Sequence, residues 1–282
     1  MISLKVHWYA VTVWGDEVLA LALWDAWLAR HLGPLQPTGH GGRGFRKIYN
    51  SLVAGRVYCD PPEQDATENR PDYFHIELPG SACDCIPDED IKEFTAELYR
   101  WRLENNFKVT RLDLAWDGVR MHPLDFSEAV ELEMVRTLAK RSSLSVFNQP
   151  YEDREDGVQG TASVSLGSRA SSRMIRVYNK RGPTRVEFQM RQDRAHEVAL
   201  DVLLASPSQW HNKALSHLLD YVDISRHDLY PGWGELVQEV DRAYKTVSDA
   251  RQLEMDNLAG WLMKQVSPAL SVLNDVMGEG AV

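Results

Sequence analysis

The sequence contains no long uninterrupted apolar run. Its richest apolar stretch, VLALALWDAWLA, is broken by Asp25 and is shorter than the roughly 20 residues that a membrane helix needs, so no membrane helix is predicted. The N-terminus, MISLKVHWYAV, has neither the basic start nor the apolar core of a secretory signal. The chain has only 3 cysteines, which suits a reducing cytoplasm and gives no disulfide framework. These absences predict a soluble, cytoplasmic protein.

The sequence also lacks an excess of positive charge. Its 31 lysines and arginines stand against 41 acidic residues, for a net charge of −10. This balance argues against a protein that coats nucleic acid through bulk electrostatics, but not against an enzyme that holds DNA at one place. The segment 168–181, SRASSRMIRVYNKR, is rich in basic residues and contains no acid, whereas YEDREDG just before it is mostly acidic. Taken alone, such a basic run is typical of a solvated surface.

Strand and helix patterns alternate along the first two thirds of the chain. Apolar alternation predicts strands in VHWYAVTV, YFHIELPG and VTRLDLAWDG, and Ala54-Gly55 predicts a hairpin between FRKIYNSL and GRVYCD. Helical spacing predicts helices at about 15–32, over PDEDIKEFTAELYRWRLENN, and over LDFSEAVELEMVRTLAKR with Ser127 as its N-cap. Three closely spaced strands, ASVSLGSR, SRMIRVYNK and TRVEFQMR, predict an antiparallel meander, and helices dominate after Gln192. The order predicts an α+β fold: an antiparallel sheet with helices on one face, followed by a helical C-terminal portion.

One face of the predicted sheet concentrates acidic and basic side chains. Side chains alternate between the two faces along a strand, so every second residue of these strands shares a face. The opposite face is apolar in all four strands considered. The side chains predicted on the polar face are His75, Glu77, Arg111, Asp113, Asp117, Met174, Arg176, Tyr178, Lys180, Arg185, Glu187, Gln189 and Arg191.

Two interpretations of this polar face remain open. It is either the solvated side of an antiparallel sheet or a functional site. Acids at the centre of a sheet are costly unless they are paired or bound to a cation, which favours a divalent metal site of the kind that suits Mg²⁺ or Mn²⁺. The candidate ligands are Glu77, Asp113, Asp117 and Glu187, with His75 as an imidazole ligand.

Tyr178 is the candidate nucleophile on this face. A metal would polarise a scissile phosphate, and a tyrosine hydroxyl that attacked it would form a phosphotyrosyl intermediate that conserves the bond energy for rejoining. A tyrosine with an ordinary pKa near 10 is a poor nucleophile. We expect the neighbouring cations Arg176 and Lys180 to lower the pKa of Tyr178 and to hold the phosphate.

Four segments, taken in order, resemble the replication initiation factor family. They are HIELPGSAC, VTRLDLAWDG, SLGSRASSRMIRVYNKRG and TRVEFQMRQDRA. The family includes rolling-circle initiators of plasmids and filamentous phages and related relaxases of integrative elements. The resemblance implies a palm-like antiparallel sheet, nicking at a double-strand origin, a 5′-phosphotyrosyl link, and a freed 3′-hydroxyl that primes replication. It also implies origin DNA as partner, with the host helicase and replication machinery, and a homodimer.

The resemblance also assigns roles to individual residues. Tyr178 in IRVYNK is the nucleophile that it implies, and Asp113 and Glu187, with Glu77 or Asp117, are the acids on the metal side. We expect residues 1–195 to form the catalytic domain and residues 196–282 to form a helical region for DNA binding or dimerisation. The expected contacts to DNA or phosphate are Ser168, Arg169, Arg173, Arg176, Lys180 and Arg185.

Alternatives to this interpretation stay open on the sequence alone. Tyr151, on an acidic loop, is a second and weaker candidate nucleophile. A relaxase-type nickase for conjugative transfer would use the same chemistry. A non-catalytic protein that binds origin DNA would need no tyrosine, and neither would a metal-dependent phosphodiesterase with water as its nucleophile.

Overall fold

A ten-stranded antiparallel sheet organises the fold in the computed structural model, which describes residues 2–61, 72–103, 106–149, 161–179 and 183–238. In spatial order its strands are β2 (Gln36–Pro37), β3 (Lys47–Asn50), β4 (Arg56–Cys59), β5 (Tyr73–Leu78), β1 (Ser3–Trp14), β6 (Phe107–Val119), β11 (Thr184–Arg191), β10 (Arg173–Asn179), β9 (Thr161–Leu166) and β8 (Ser145–Gln149). A second, two-stranded sheet pairs β7 (Val135–Thr137) with β12 (Val222–Ile224).

Helices cover the apolar face of the large sheet. In α1 (Glu17–Trp27), Asp16 caps the first turn by accepting the Leu19 N–H, and α2 (Ala29–Leu32) and α3 (Gly80–Cys83) are single turns. Phe94 of α4 (Asp88–Arg100) contacts Tyr9 of β1 edge to face. The remaining helices are α5 (Pro123–Glu131), α6 (Gln192–Leu203), α7 (Trp210–Tyr221) and α8 (Pro231–Gln238). The predicted α+β fold, with helices on one face of an antiparallel sheet, is confirmed.

The helix predicted over residues 124–141 is wrong in its N-cap and its length. His122, not Ser127, caps α5, in a capping box with Asp125, and Ser127 lies inside the helix. The helix ends at Glu131, and Glu133 then adopts a left-handed conformation with φ 59°. The chain after it forms β7, because its partner strand β12 comes from a part of the sequence more than 80 residues away, which no local pattern shows.

Met1–Asp241 forms one compact unit, which includes α6, a helix that runs across residue 195, and α7, which follows it. Phe188 of β11 stacks on Tyr221 of α7, so these helices share the core of the sheet. The DNA-binding or dimerisation role of region 196–282 stays a prediction. Within the described ranges, no helix has the length and apolar character needed to cross a membrane.

Two of the three register shifts between the central strands lie beside the polar residues. Between Val6 and Trp8 the register of β1 against β6 shifts, so His7 is an extra residue in a bulge. Next to the pairing of Arg185 with Asp117, the register of β11 against β6 shifts at Gly118, whose φ of 84° suits glycine. Both bulges re-aim side chains on the polar face.

Candidate active site

The three central strands bring the predicted polar residues together in rows. Arg185 pairs across the sheet with Asp117 on one side and with Tyr178 on the other. One row further along, Glu187 pairs with Arg176. The shared face that alternation predicts for these strands is therefore confirmed.

Glu187 is the centre of the site. The Tyr178 hydroxyl donates a hydrogen bond of 2.8 Å to its Oε2 atom. Arg176 Nη1 lies 3.7 Å from Oε1 and His7 Nε2 lies 3.6 Å from Oε2. The Glu187 side chain is only 3% exposed, so these three groups replace much of the water that a carboxylate needs.

Tyr178 holds its proton more tightly than the sequence suggested. Burial raises the pKa of Tyr178, the charge of Glu187 and the hydrogen bond to it raise the pKa further, and Arg185 opposes them. The net pKa of this tyrosine is therefore raised and not lowered as expected, because burial and the acceptor carboxylate outweigh the lowering effect of Arg185. Lys180, the other cation expected here, lies outside the described residues, as does Tyr151.

His7 is a site residue that sequence reasoning missed. The bulge in β1 places it beside Glu187, under the first turn of α3. Gly80 leaves room for it, since a Cβ atom added there would lie 2.3 Å from His7 Cε1. The only signal in the sequence was a histidine in the first strand, and strand alternation assigned it no role.

Arg185 and Asp117 form a two-pronged ion pair beside Tyr178. The Nε and Nη2 atoms of Arg185 each lie 2.5 Å from a carboxylate oxygen of Asp117. Arg185 is 1% exposed, whereas the Asp117 side chain is 30% exposed. The guanidinium that we expected to contact phosphate is thus committed to Asp117, and its charge acts on the tyrosine.

Asp113 has its own set of partners further along β6. Arg111 donates to it from Nε at 3.0 Å and from Nη2 at 2.6 Å, and Gln189 donates at 2.9 Å. Burial raises the pKa of Asp113, and the hydrogen bonds from Arg111 and Gln189 oppose that rise. The Arg111 guanidinium in turn lies 3.8 Å over the ring of Trp8. Asp113 is therefore a buried anchor for Arg111.

Glu77 and His75 lie on β5, two strands away from β6, and have separate partners. Glu77 accepts hydrogen bonds from Tyr58 at 3.0 Å and pairs with Arg43 at 2.6 Å, from the loop before β3. His75 Nδ1 lies 3.0 Å from the Thr12 hydroxyl. Burial lowers the pKa of His75 to about 4, so the imidazole is neutral at pH 7.

The predicted metal ligands do not fit a shared metal site in this arrangement. Each acid is engaged by protein donors of its own, as the contacts above show. Among the residues that the structure describes, no three histidine, cysteine, aspartate or glutamate side chains are grouped closely enough to hold a metal ion. The contacts of these acids therefore identify none of them as a metal ligand.

The predicted DNA contacts lie around the turn between β9 and β10. Ser168 and Arg169 are exposed, and the Ser168 hydroxyl accepts the Ala170 N–H, which shapes the turn. Arg173 lies 3.7 Å from Asp220 and over the ring of Tyr221. Arg176 has 41% of its side chain exposed, so it reaches from Glu187 toward solvent. Of Arg169, Arg173 and Arg176, the first and the last have the exposure that a phosphate contact requires.

Comparison with solved structures shows the same fold in a replication protein. The rolling circle replication initiator protein from Geobacillus stearothermophilus is 18% identical, with a TM-score of 0.59 over 79% of this chain and 87% of that chain. TBP of Methanococcus jannaschii aligns over 72% of this chain and 96% of that chain at 12% identity, but its TM-score of 0.28 is too low to support an argument. No curated protein matched the sequence.

Comparison with protein families identifies the chain directly. The sequence model described as "Replication initiation factor" matches residues 107–281, more than half of the chain. The match begins at β6 and includes Tyr178, Arg185 and Glu187. The chain therefore belongs to the replication initiation factor family.

Proposed function

We propose that this protein initiates rolling-circle replication by nicking and rejoining one strand of origin DNA through a 5′-phosphotyrosyl intermediate on Tyr178. The observation that carries the proposal is the 2.8 Å hydrogen bond from the Tyr178 hydroxyl to the buried Glu187, on the central strands of a family member. The Geobacillus protein of the same fold is itself a rolling-circle initiator. A nucleophile that touches a base is the arrangement that covalent catalysis requires.

The proposed step balances without a further reactant. Tyr178 Oη attacks the scissile phosphorus and its proton passes to Glu187. The new bond joins Oη to phosphorus, and the bond from phosphorus to the 3′-oxygen breaks. The 3′-oxygen leaves with a proton returned from Glu187, and the freed 3′-hydroxyl primes synthesis. The reverse sequence rejoins the strand.

The surrounding charges support this step. The guanidinium of Arg176, 3.7 Å from Glu187 and partly exposed, is placed to attract the scissile phosphate. Arg185 lowers the pKa of Tyr178 against the effect of burial, and so assists loss of the proton. His7 Nε2 lies 3.6 Å from Glu187 Oε2, the same oxygen that accepts the Tyr178 hydroxyl. The two arginines place positive charge where negative charge develops.

Dependence on Mg²⁺ or Mn²⁺ stays a prediction of the family resemblance. The described acids do not cluster, so no step above passes through a metal. The proposal includes action on plasmid or phage DNA in the cytoplasm, recruitment of the host helicase and replication machinery, and a homodimer.

A plasmid carrying the protein's own gene and flanking DNA tests the proposal. The supercoiled plasmid is incubated with the purified protein, with and without Mg²⁺ or Mn²⁺, and the reaction is stopped with detergent. We expect nicking and protein linked to the 5′ end. Tyr178→Phe should abolish both, and Tyr99→Phe on α4 should change neither.

The outcomes separate the alternatives. Nicking without a covalent adduct indicates water as the nucleophile and contradicts the proposal. An adduct that survives Tyr178→Phe moves the nucleophile elsewhere, for example to Tyr151. DNA binding without nicking in either metal indicates a binding protein. A nicking rate that is the same in a chelator removes the metal dependence but leaves the tyrosine mechanism.

A further inference from the structure

Three arginines meet on the polar face at a distance from Tyr178. Arg111 of β6 and Arg191 of β11 are direct cross-strand partners. Arg191 Nη1 donates to the backbone oxygen of Arg169, in the turn between β9 and β10. These three side chains are called the arginine cluster below. It gathers one cation from each of two central strands and one from the adjoining turn.

The arginine cluster carries more positive charge than its described neighbours neutralise. Like charges directly opposite each other on neighbouring strands are destabilising. The carboxylate in contact with the cluster is Asp113, which Arg111 binds with two nitrogens. Arg191 donates its Nη2 to the neutral amide oxygen of Gln189 at 2.9 Å. Burial and the nearby charges of Arg111 and Arg169 lower the pKa of Arg191, which agrees with an unbalanced positive site.

Two of the three guanidinium groups in the cluster are held in place by neighbouring residues. Trp8 fixes the Arg111 guanidinium by a cation–π contact of 3.8 Å. The Arg191 guanidinium is fixed at two points, by Gln189 and by the Arg169 carbonyl. Fixed guanidinium groups lose little entropy on binding, and their planar donors match phosphate oxygens. Such a cluster in a chain of net charge −10 is a local attraction for a polyanion.

The arginine cluster lies away from Tyr178, the residue at which the scissile phosphate would bind. Arg185, the cross-strand partner of Tyr178, and Arg191 are both on β11. They are six positions apart, about 20 Å at about 3.4 Å per residue. Both lie on the same face, because their separation is even. A single DNA strand that runs along this face would reach the cluster a few nucleotides from the site of attack.

We propose that the arginine cluster, Arg111, Arg169 and Arg191, binds phosphates of single-stranded DNA flanking the scissile phosphate. The inference rests on the proposed function for its direction, since it aligns the strand between the cluster and Tyr178. The binding itself needs only a single strand, so it is measured independently of strand cleavage.

A salt titration of single-strand binding tests the proposal. The probe is a fluorescein-labelled, mixed-sequence 20-nucleotide single strand, and affinity is measured by anisotropy with the full-length Tyr178→Phe protein. Each lost phosphate contact lowers the slope of log affinity against log salt by about 0.7 for single strands. We expect the added double substitution Arg169→Gln and Arg191→Gln to lower the slope by about 1.4 and to weaken binding. Arg136→Gln, at an exposed arginine of β7, should leave both unchanged.

Thermal melting of each variant checks that it is folded. If the double variant does not fold, the test relies on Arg169→Gln alone, a substitution at an exposed side chain. It should lower the slope by about 0.7. Slopes in the single and double variants that equal the Arg136→Gln control would overturn the proposal. A lowered slope in these variants, combined with no covalent adduct in the wild-type protein, would support the DNA-binding site and exclude the tyrosine mechanism. Failure of the arginine cluster and failure of the proposed function are therefore distinguishable.

Discussion

Replacing Asp88 with asparagine should stabilise this protein at neutral pH. Asp88 is the first residue of α4, and its Oδ1 accepts the Val6 N–H at 2.8 Å, directly before the bulge that places His7. Burial raises the pKa of its carboxyl from 3.8 to about 6, and the Val6 N–H only partly opposes this. The ionised carboxyl is therefore less stable in the folded chain than in water.

The magnitude follows from the pKa difference. A shift from 3.8 to about 6, at about 1.36 kcal/mol per pH unit, corresponds to about 3 kcal/mol. Because the folded pKa is raised, this stability is fully present below about pH 3.8 and is lost as the pH rises through about 6. Asparagine keeps an oxygen for the Val6 N–H but loses the favourable interaction of a carboxylate with the helix N-terminus, about 0.3–1 kcal/mol. The expected net gain at pH 7 is about 2 kcal/mol.

The assay is urea unfolding of the wild type and of Asp88→Asn between pH 4 and pH 7.5. The two proteins should be close in stability at pH 4, diverge as the pH rises from about 4 to about 6, and differ by a constant amount above that. Glu89→Gln, at the exposed next position in the same turn, is the matched control and should change stability by less than about 0.5 kcal/mol. An Asp88→Asn protein that is no more stable than the wild type at pH 7, or a difference that does not depend on pH, would refute the reasoning.

Three further predictions concern the active site. Asp117→Asn leaves the buried Arg185 without its counter-charge and should lower the free energy of unfolding in urea by about 2–3 kcal/mol. This is less than the full cost of breaking a buried pair, because Asp117 is partly exposed. A loss under about 0.5 kcal/mol would show that water replaces the carboxylate. Gly80→Ala places a Cβ atom 2.3 Å from His7 Cε1, so the His7 side chain should turn away from Glu187. We expect slower nicking and a loss of about 1 kcal/mol in the free energy of unfolding. An unchanged nicking rate would remove His7 from the mechanism. Glu187→Gln can accept a hydrogen bond but not a proton, so single-turnover nicking should slow by about 10²–10⁴-fold with DNA binding retained; a rate near that of wild type would contradict its role as base.

The sequence predicted the composition of the active-site face but not its pairings. Alternation along the strands placed Tyr178, Arg185 and Glu187 on one face, because that rule depends only on local geometry. Which carboxylate meets which cation depends on register, and register depends on the partner strand. Arg43 reaches Glu77 from a loop, and no periodic pattern predicts that contact.

The residues that were missed share a physical cause. A bulge inserts one residue into a strand, and that irregularity moved His7 beside Glu187. The overlong helix at 124–141 failed in the same way, since β7 is stabilised by pairing with the distant β12. The direction of the Tyr178 pKa was also beyond the sequence, because it depends on how deeply the hydroxyl is buried. Long-range contacts decide each of these features.

The most direct test of the account is to identify the residue that carries the DNA. The covalent adduct is digested with nuclease and trypsin and analysed by mass spectrometry. Cleavage after Arg176 and Lys180 releases the tetrapeptide VYNK, in which Tyr178 is the one tyrosine. We expect this peptide to carry the nucleotide mass through a 5′-phosphate. Nucleotide mass on another peptide, such as the one that contains Tyr151, would contradict it.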